Sequence, residues 1–208
     1  MIQCIILAAG MSRRMGAENK MLLPFRGSTI FETTFLNIVQ ADIGEILVVT
    51  GFESEKITKI LKLHPLSISP KMHIIENKDY ENGMTSSIKT GIKALKPQNR
   101  EGGVMVCLSD MPLISPEEYR FIATQFLTIS QQDEKAIVVP FYKGEKGNPV
   151  IFSAFYKHDL LNLKDTEGGK SILKTYQKHV YKIEMPMDSI LLDADTPEDY
   201  QRLLHSTD

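Results

Sequence analysis

The chain has 208 residues, with 24 Lys and Arg against 26 Asp and Glu and a formal net charge of −2. That length suffices for a substantial core in one domain spanning residues 1–208, and the near-neutral balance excludes sequence-independent nucleic-acid binding, which needs a basic surplus. No apolar run approaches membrane-spanning length and the N-terminus carries no charged-then-apolar signal pattern, so a cytoplasmic protein with no nucleic-acid or membrane partner is expected.

The apolar run Ile2–Leu7 predicts a buried strand. Directly behind it stands Leu7-Ala8-Ala9-Gly10-Met11-Ser12-Arg13-Arg14-Met15-Gly16, followed by Asn19-Lys20. Small residues there let backbone N–H groups approach an anion without obstruction. Ser12 adds a hydroxyl, and Arg13, Arg14 and Lys20 add fixed positive charge, a combination suited to a triphosphate. The glycine spacing is not that of a dinucleotide fingerprint, and no Gly-Lys-Ser/Thr closes a Walker loop. The competing description is a strand-to-loop turn with solvated arginines.

A helix is predicted near Ile30–Val39, a strand at Glu45–Thr50, a helix at Ser54–Leu63 and a strand at Met72–Ile75. Asn77 to Ser87 then carries the turn signal Asn82-Gly83 and three successive hydroxyls, Thr85, Ser86 and Ser87, before a helix over Thr85–Leu95. Capping explains one of those hydroxyls; a helix N-terminus rich in them also favours an anion or a base. The strand Val104–Leu108 leads into Ser109-Asp110-Met111-Pro112, which places Asp110 on the same sheet edge as the opening loop. A carboxylate there suits a hard cation bridging substrate phosphates, a turn aspartate before Pro112 being the alternative. Cys4 and Cys107 both lie in apolar runs and read as core thiols of a reducing compartment.

Ser115-Pro116-Glu117-Glu118 opens a helix over Pro116–Ile129 with a capping box and proline at the first helical position. Strands follow at Ala136–Pro140 and Val150–Phe152, separated by Phe141–Pro149, which contains Gly144 and Gly147 and reads as a hairpin or lid. Helices near Phe155–Leu161 and Lys170–Lys178 precede a strand at Val180–Glu184. Gly168-Gly169-Lys170-Ser171 is not a Walker loop, because residue 164 is lysine where a glycine is required. It is either a glycine-rich helix start or a site for a phosphorylated acceptor, and Gly147-Asn148-Pro149-Val150 is either a turn or a polar finger over the site. Finally Asp193 and Asp195 alternate in an extended segment, so they share a face and could join Asp110 on one metal. Thr196-Pro197-Glu198-Asp199 caps a last helix over Pro197–Leu204. The residues do not choose between the two aspartates. The five histidines show no metal-binding helical spacing.

Strand–helix alternation with nearly continuous apolar strands predicts an α/β fold, a mostly parallel sheet covered on both faces, with ligands at the carboxyl ends of its strands. In Leu7–Gly16 with Asn19-Lys20-Met21-Leu22-Leu23, Asn82–Ser87, Ser109–Pro112, Gly147–Val150 and Asp195–Asp199, the sequence resembles molybdenum cofactor cytidylyltransferases, a group of molybdopterin nucleotidyltransferases with an NTP-transferase domain. The resemblance implies a Rossmann-like three-layer nucleotidyltransferase fold and transfer of CMP from CTP to a molybdopterin-type cofactor. It implies nucleotide binding by Leu7, Ala8, Ala9, Gly10, Ser12, Arg13, Arg14, Gly16, Lys20, Gly83, Ser86 and Ser87, with Arg14, Lys20 and Asp110 catalytic. It further implies Mg²⁺ on Asp110, Asp193 and Asp195, acceptor contacts from Asn148, Gly168, Gly169 and Lys170, and a molybdenum-dependent dehydrogenase as a downstream partner. Guanylyl-transferring relatives typically carry glycine where this chain has Ala9, which points to CTP. Two places depart from the family pattern: Asn148, where some relatives have histidine, and Thr166-Glu167, where Gly-Asp is common. The alternatives are a GTP-using or sugar-phosphate nucleotidyltransferase, or a non-catalytic delivery protein for the molybdenum cofactor.

Overall fold

The computed structural model describes residues 1–16, 18–64, 71–95, 102–164 and 168–206. In chain order the elements are β1 (Ile2–Ala8), β2 (Pro24–Phe25), β3 (Ser28–Thr29), α1 (Ile30–Gln40), β4 (Gly44–Thr50), α2 (Ser54–Leu63), β5 (Met72–Glu76), α3 (Met84–Ala94) and β6 (Gly103–Leu108). They continue with α4 (Pro116–Ser130), β7 (Ile137–Tyr142), β8 (Glu145–Lys146), β9 (Val150–Ser153), α5 (Lys157–Leu161), α6 (Lys170–Thr175), β10 (Val180–Glu184) and α7 (Pro197–His205). The main sheet runs β10-β7-β9-β6-β1-β4-β5, with β8 paired to β7. Strands β6, β1, β4 and β5 are mutually parallel, as are β7 and β10, and β9 is antiparallel to both of its neighbours. Among the described residues no helix is long and apolar enough to cross a membrane.

Period-two alternation along the central strands builds a core on each face. Ile2, Cys4 and Ile6 of β1, with Met105 and Cys107 of β6, face α1, α2 and α4 through Phe31, Phe35, Leu61, Ile122 and Phe126. Ile5 and Leu7, with Val104 and Val106, face α3, α5 and α6 through Ile88, Ile92, Leu160 and Ile172. Strands buried on both sides explain why their sequences read as nearly unbroken apolar runs. Gly91 lets α3 lie directly on β1, since a Cβ there would stand 2.7 Å from Ile5 Cγ2. Both predicted capping boxes form. Ser115 Oγ accepts from Glu118 N at 3.2 Å while the Glu118 carboxylate accepts from Ser115 N at 2.8 Å, and Thr196 and Asp199 repeat the exchange at 3.1 Å each way.

Three features differ from the sequence reading. The stretch Pro24–Thr29 is a two-stranded hairpin whose turn residues, Arg26 and Gly27, have φ of 47° and 84°. These are both left-handed, as a tight two-residue turn requires. The segment expected as one helix over Lys170–Lys178 ends at Thr175 and resumes as a 3-10 turn over Gln177–His179, and that at Phe155–Leu161 opens as a 3-10 turn over Ala154–Tyr156. Strand β9 inserts antiparallel between β6 and β7, because residues 143–149 are too few for the crossover that a parallel neighbour needs. The Phe141–Pro149 stretch is a hairpin, turning at Lys143-Gly144.

Asp133, in the turn between α4 and β7, ties that turn to β10. Its carboxylate accepts from Lys135 N at 2.9 Å and Tyr181 OH at 3.1 Å, and lies 2.8 Å from His179 Nδ1. Burial alone would raise its pKa, but the His179, Lys135 and Tyr181 contacts outweigh it and hold the carboxyl below the usual carboxylate range. A carboxyl depressed in the folded state contributes stability above its unfolded pKa and loses it as pH falls through the folded value. Asp133→Asn should therefore lower the thermal midpoint at pH 7 by about 2–4 °C and flatten the decline of stability on acidification below about pH 4, measured by thermal melts across pH.

Candidate active site

The carboxyl ends of β1 and β6 open on a cavity of about 340 Å³. Its wall brings together Leu7, Ala9, Gly10, Ser12, Arg13 and Lys20 from the opening loop, Gly83 and Ser87 from the start of α3, and Asp110, Asp193 and Asp195. The loop leaves β1 through Ala9, which is buried, and exposed Gly10. Ser12 follows in a left-handed conformation at φ 52°, before a 3-10 turn over Arg13–Met15 and Gly16 at φ 74°. The Ser12 hydroxyl accepts from Lys20 N at 3.1 Å and lies 3.5 Å from Asn19 Oδ1, so it closes the loop upon itself. Buried Asn19 accepts from Met21 N at 3.2 Å and donates to Glu53 Oε2 at 3.1 Å, anchoring the far end of the loop to the residue preceding α2.

These bonds aim the Lys20 ammonium inward. It forms an ion pair with Asp110 Oδ2 and a second, at 2.5 Å, with Asp195 Oδ1. The other oxygen of Asp195 takes Arg14 Nη1 at 2.7 Å, although the Arg14 side chain remains 73% exposed. Burial would lower the Lys20 pKa, and the two carboxylates reverse that and hold it above the ordinary lysine value. Burial likewise opposes ionisation of Asp195, which Lys20 and Arg14 outweigh, keeping its carboxyl below the usual range. Asp193 goes the other way: burial first, then the charges of Asp110 and Asp195, push it up to about 6.

One carboxylate oxygen from each of Asp110, Asp193 and Asp195 lies within 4.8 Å of the others. Three hard oxygen donors crowded this closely fit a divalent cation, and three carboxylates against the two cations Lys20 and Arg14 leave an excess of negative charge in the cluster. Because Thr196 caps α7, Asp195 is free to face the cluster.

The three hydroxyls at the start of α3 take different roles. Ser87 lines the cavity and its Oγ accepts from Asn77 Nδ2 at 3.0 Å, whereas Ser86 Oγ donates to Gly83 O at 2.8 Å and Thr85 is turned toward Lys164 O. Buried Asn77 also donates to Ser86 and so organises this helix start. Tyr80, Glu81 and Met84 line the cavity as well and were missed by sequence reasoning; the nearby Asn82-Gly83 turn was the available signal. Asn148, Gly168, Gly169 and Lys170 gather in a second cavity of about 700 Å³, which shares Met84 and Leu108 with the first. Thr166 and Glu167 lie outside the described residues.

A family model described as "MobA-like NTP transferase domain" matches residues 4–180. The molybdenum cofactor cytidylyltransferase of Escherichia coli K12 is 29% identical over 200 residues, covering 96% of this chain and 93% of that protein. The nicotine blue oxidoreductase of Paenarthrobacter nicotinovorans is 25% identical over 211 residues, covering 96% and 95%. Among solved structures, Rv0371c of Mycobacterium tuberculosis H37Rv superposes with a TM-score of 0.80 at 24% identity, covering 99% of this chain and 98% of that one. A complex of Rv0371c with manganese gives a TM-score of 0.72 at 24% identity, covering 99% of both chains.

Lys20→Met would leave the three carboxylates facing one another with only Arg14 nearby. Carboxyls raised in this way destabilise the fold as pH rises, so the loss should be larger at pH 8 than at pH 5.5. The expected fall in thermal midpoint at pH 8, without added metal, is about 5–10 °C. An equal loss at both pH values would show that charge neutralisation is not what Lys20 contributes.

Proposed function

This chain belongs to the MobA-like NTP transferase domain family, and from that premise we propose that it moves CMP from CTP onto the terminal phosphate of a molybdopterin-type cofactor. The observation that carries this reading is the Lys20 ammonium held between Asp110 and Asp195 at the mouth of a cradle of small residues. The whole chain acts as one nucleotidyltransferase domain, with the triphosphate along the opening loop and the acceptor in the second cavity against Asn148, Gly168, Gly169 and Lys170.

In the reaction, an acceptor phosphate oxygen attacks the α-phosphorus of CTP. A P–O–P linkage forms, the bond to the β-phosphate breaks, and pyrophosphate leaves. The acceptor phosphate already carries charge, so no strong general base is needed, and the protein contributes by alignment and charge neutralisation. Lys20 and Arg14 neutralise charge gathering on the departing pyrophosphate. The backbone of Ala9 and Gly10 gives the phosphates close approach, and Ser12 keeps the loop closed behind Lys20. Asp110, with Asp193 and Asp195, would hold Mg²⁺, which would supply Lewis acidity for the phosphoryl transfer. Ala9, which lines the donor cavity, supports CTP over GTP, because guanylyl-transferring relatives typically have glycine there. The product is suited to a molybdenum-dependent dehydrogenase, and the reaction belongs in the cytoplasm, where CTP is available.

Pyrophosphate release with CTP and molybdopterin, compared with GTP and with sugar phosphates, tests this reading. The expected result is CTP-dependent release that chelation abolishes and Mg²⁺ restores. Asp110→Ala should lower kcat roughly 10²–10³-fold. Retention of near-normal turnover in that variant would remove the metal assignment, and no release with any nucleotide and acceptor would leave a delivery protein as the better description.

A further inference from the structure

The second cavity combines two chemistries. Ile88, Val150, Phe152 and Leu173 give it an apolar lining, to which exposed Lys146 and Lys170 are added from different elements. Lys146 ends β8, paired with Phe141 of β7 on the return arm of the hairpin. Its backbone is fixed from behind. Gly147 N donates to Pro140 O at 2.9 Å and Asn148 N to Ile190 O at 3.0 Å. Gly147 lies so close to the Ile190 segment that a Cβ would stand 2.6 Å from Ile190 O.

Neither lysine makes an ion pair with a carboxylate among the described residues. Although the Lys146 residue is exposed, partial desolvation first, and then the like charge of Lys170, hold its ammonium below the ordinary lysine value. Two ammonium groups lining one cavity beside apolar residues are favourable when an anion sits between them, since each then gains a charge-assisted hydrogen bond.

We infer that Lys146, together with Lys170, binds an anionic group of the acceptor while the acceptor's flat ring lies on the Val150–Phe152 wall, making the end of β8 a determinant of acceptor specificity. The inference rests on the acceptor reading above and adds a residue and a ring-plus-anion selectivity to it. Because the two cavities share Met84 and Leu108, an acceptor anchored at Lys146 can present a phosphate to the donor cavity.

Two measurements on the full chain test it. In the first, initial rates of pyrophosphate release are taken at saturating CTP with varied molybdopterin, alongside calorimetric CTP affinity. Lys146→Ala should raise the acceptor KM by about tenfold or more with a much smaller change in kcat and none in CTP affinity, and Lys146→Arg should recover most of the loss. An acceptor KM unchanged in Lys146→Ala would overturn the inference.

The second measurement is independent of turnover, so it reads the cavity even where molybdopterin supports no pyrophosphate release and the functional reading itself fails. Pyridoxal 5′-phosphate, a flat ring carrying a phosphate and an aldehyde, is mixed with the protein. Its aldehyde condenses with a lysine Nζ to an imine with loss of water, and borohydride reduces the imine to a stable amine that is mapped by mass spectrometry. Lys146 should be the preferred site, and labelling there should fall severalfold in Lys170→Ala. Labelling spread over surface lysines with Lys146 spared would contradict the proposal.

Discussion

A single ammonium group joins three distant parts of this chain. Lys20 comes from the loop after β1, Asp110 from the end of β6 and Asp195 from the segment before α7, and they meet in one charge cluster. Each of these groups would be unfavourable in its half-buried position alone. Together they are tolerable, though not balanced, since Asp193 makes a third carboxylate against the two cations Lys20 and Arg14. The surplus of negative charge beside a loop of small residues is an arrangement that a metal–phosphate complex would complete.

The sheet makes this meeting possible. Parallel strands β1 and β6 end side by side, in register from Ile2 with Gly103 to Leu7 with Leu108, so their following loops emerge on one edge. Strand β9 then turns the sheet's direction locally and carries Gly147 and Asn148 to the same side, beside α3. The two cavities therefore adjoin, sharing Met84 and Leu108. Both cavities are consequences of strand order, and the charged groups that distinguish them come from the connections and short elements beyond the central strands.

Much of this was legible in the sequence because local rules and global fold agree. Continuous apolar runs marked the strands, and the capping boxes at Ser115 and Thr196 marked helix starts to the residue. Lys20, Asp110, Asp193 and Asp195 could be singled out as chemistry, because each follows a buried strand or flanks a capped helix. Other features depended on tertiary packing. The hairpin at Pro24–Thr29 has an Arg-Gly turn with none of the stronger turn signals, and the antiparallel insertion of β9 is set by the short connection from β7. The division of labour among Thr85, Ser86 and Ser87 comes from Asn77, a residue whose side chain has no visible periodic role in the sequence. Lys146 gave no signal at all, since its significance lies in lining one cavity with Lys170.

The central claim is that nucleotide phosphates and a divalent cation bind together at the Lys20 cluster. Calorimetric titration of CTP into the wild-type chain and Lys20→Met, each with Mg²⁺ and after chelation, tests it most directly. The account predicts binding by the wild type with Mg²⁺ that weakens at least about tenfold on chelation and again in Lys20→Met. Equal CTP affinity under all four conditions would contradict it.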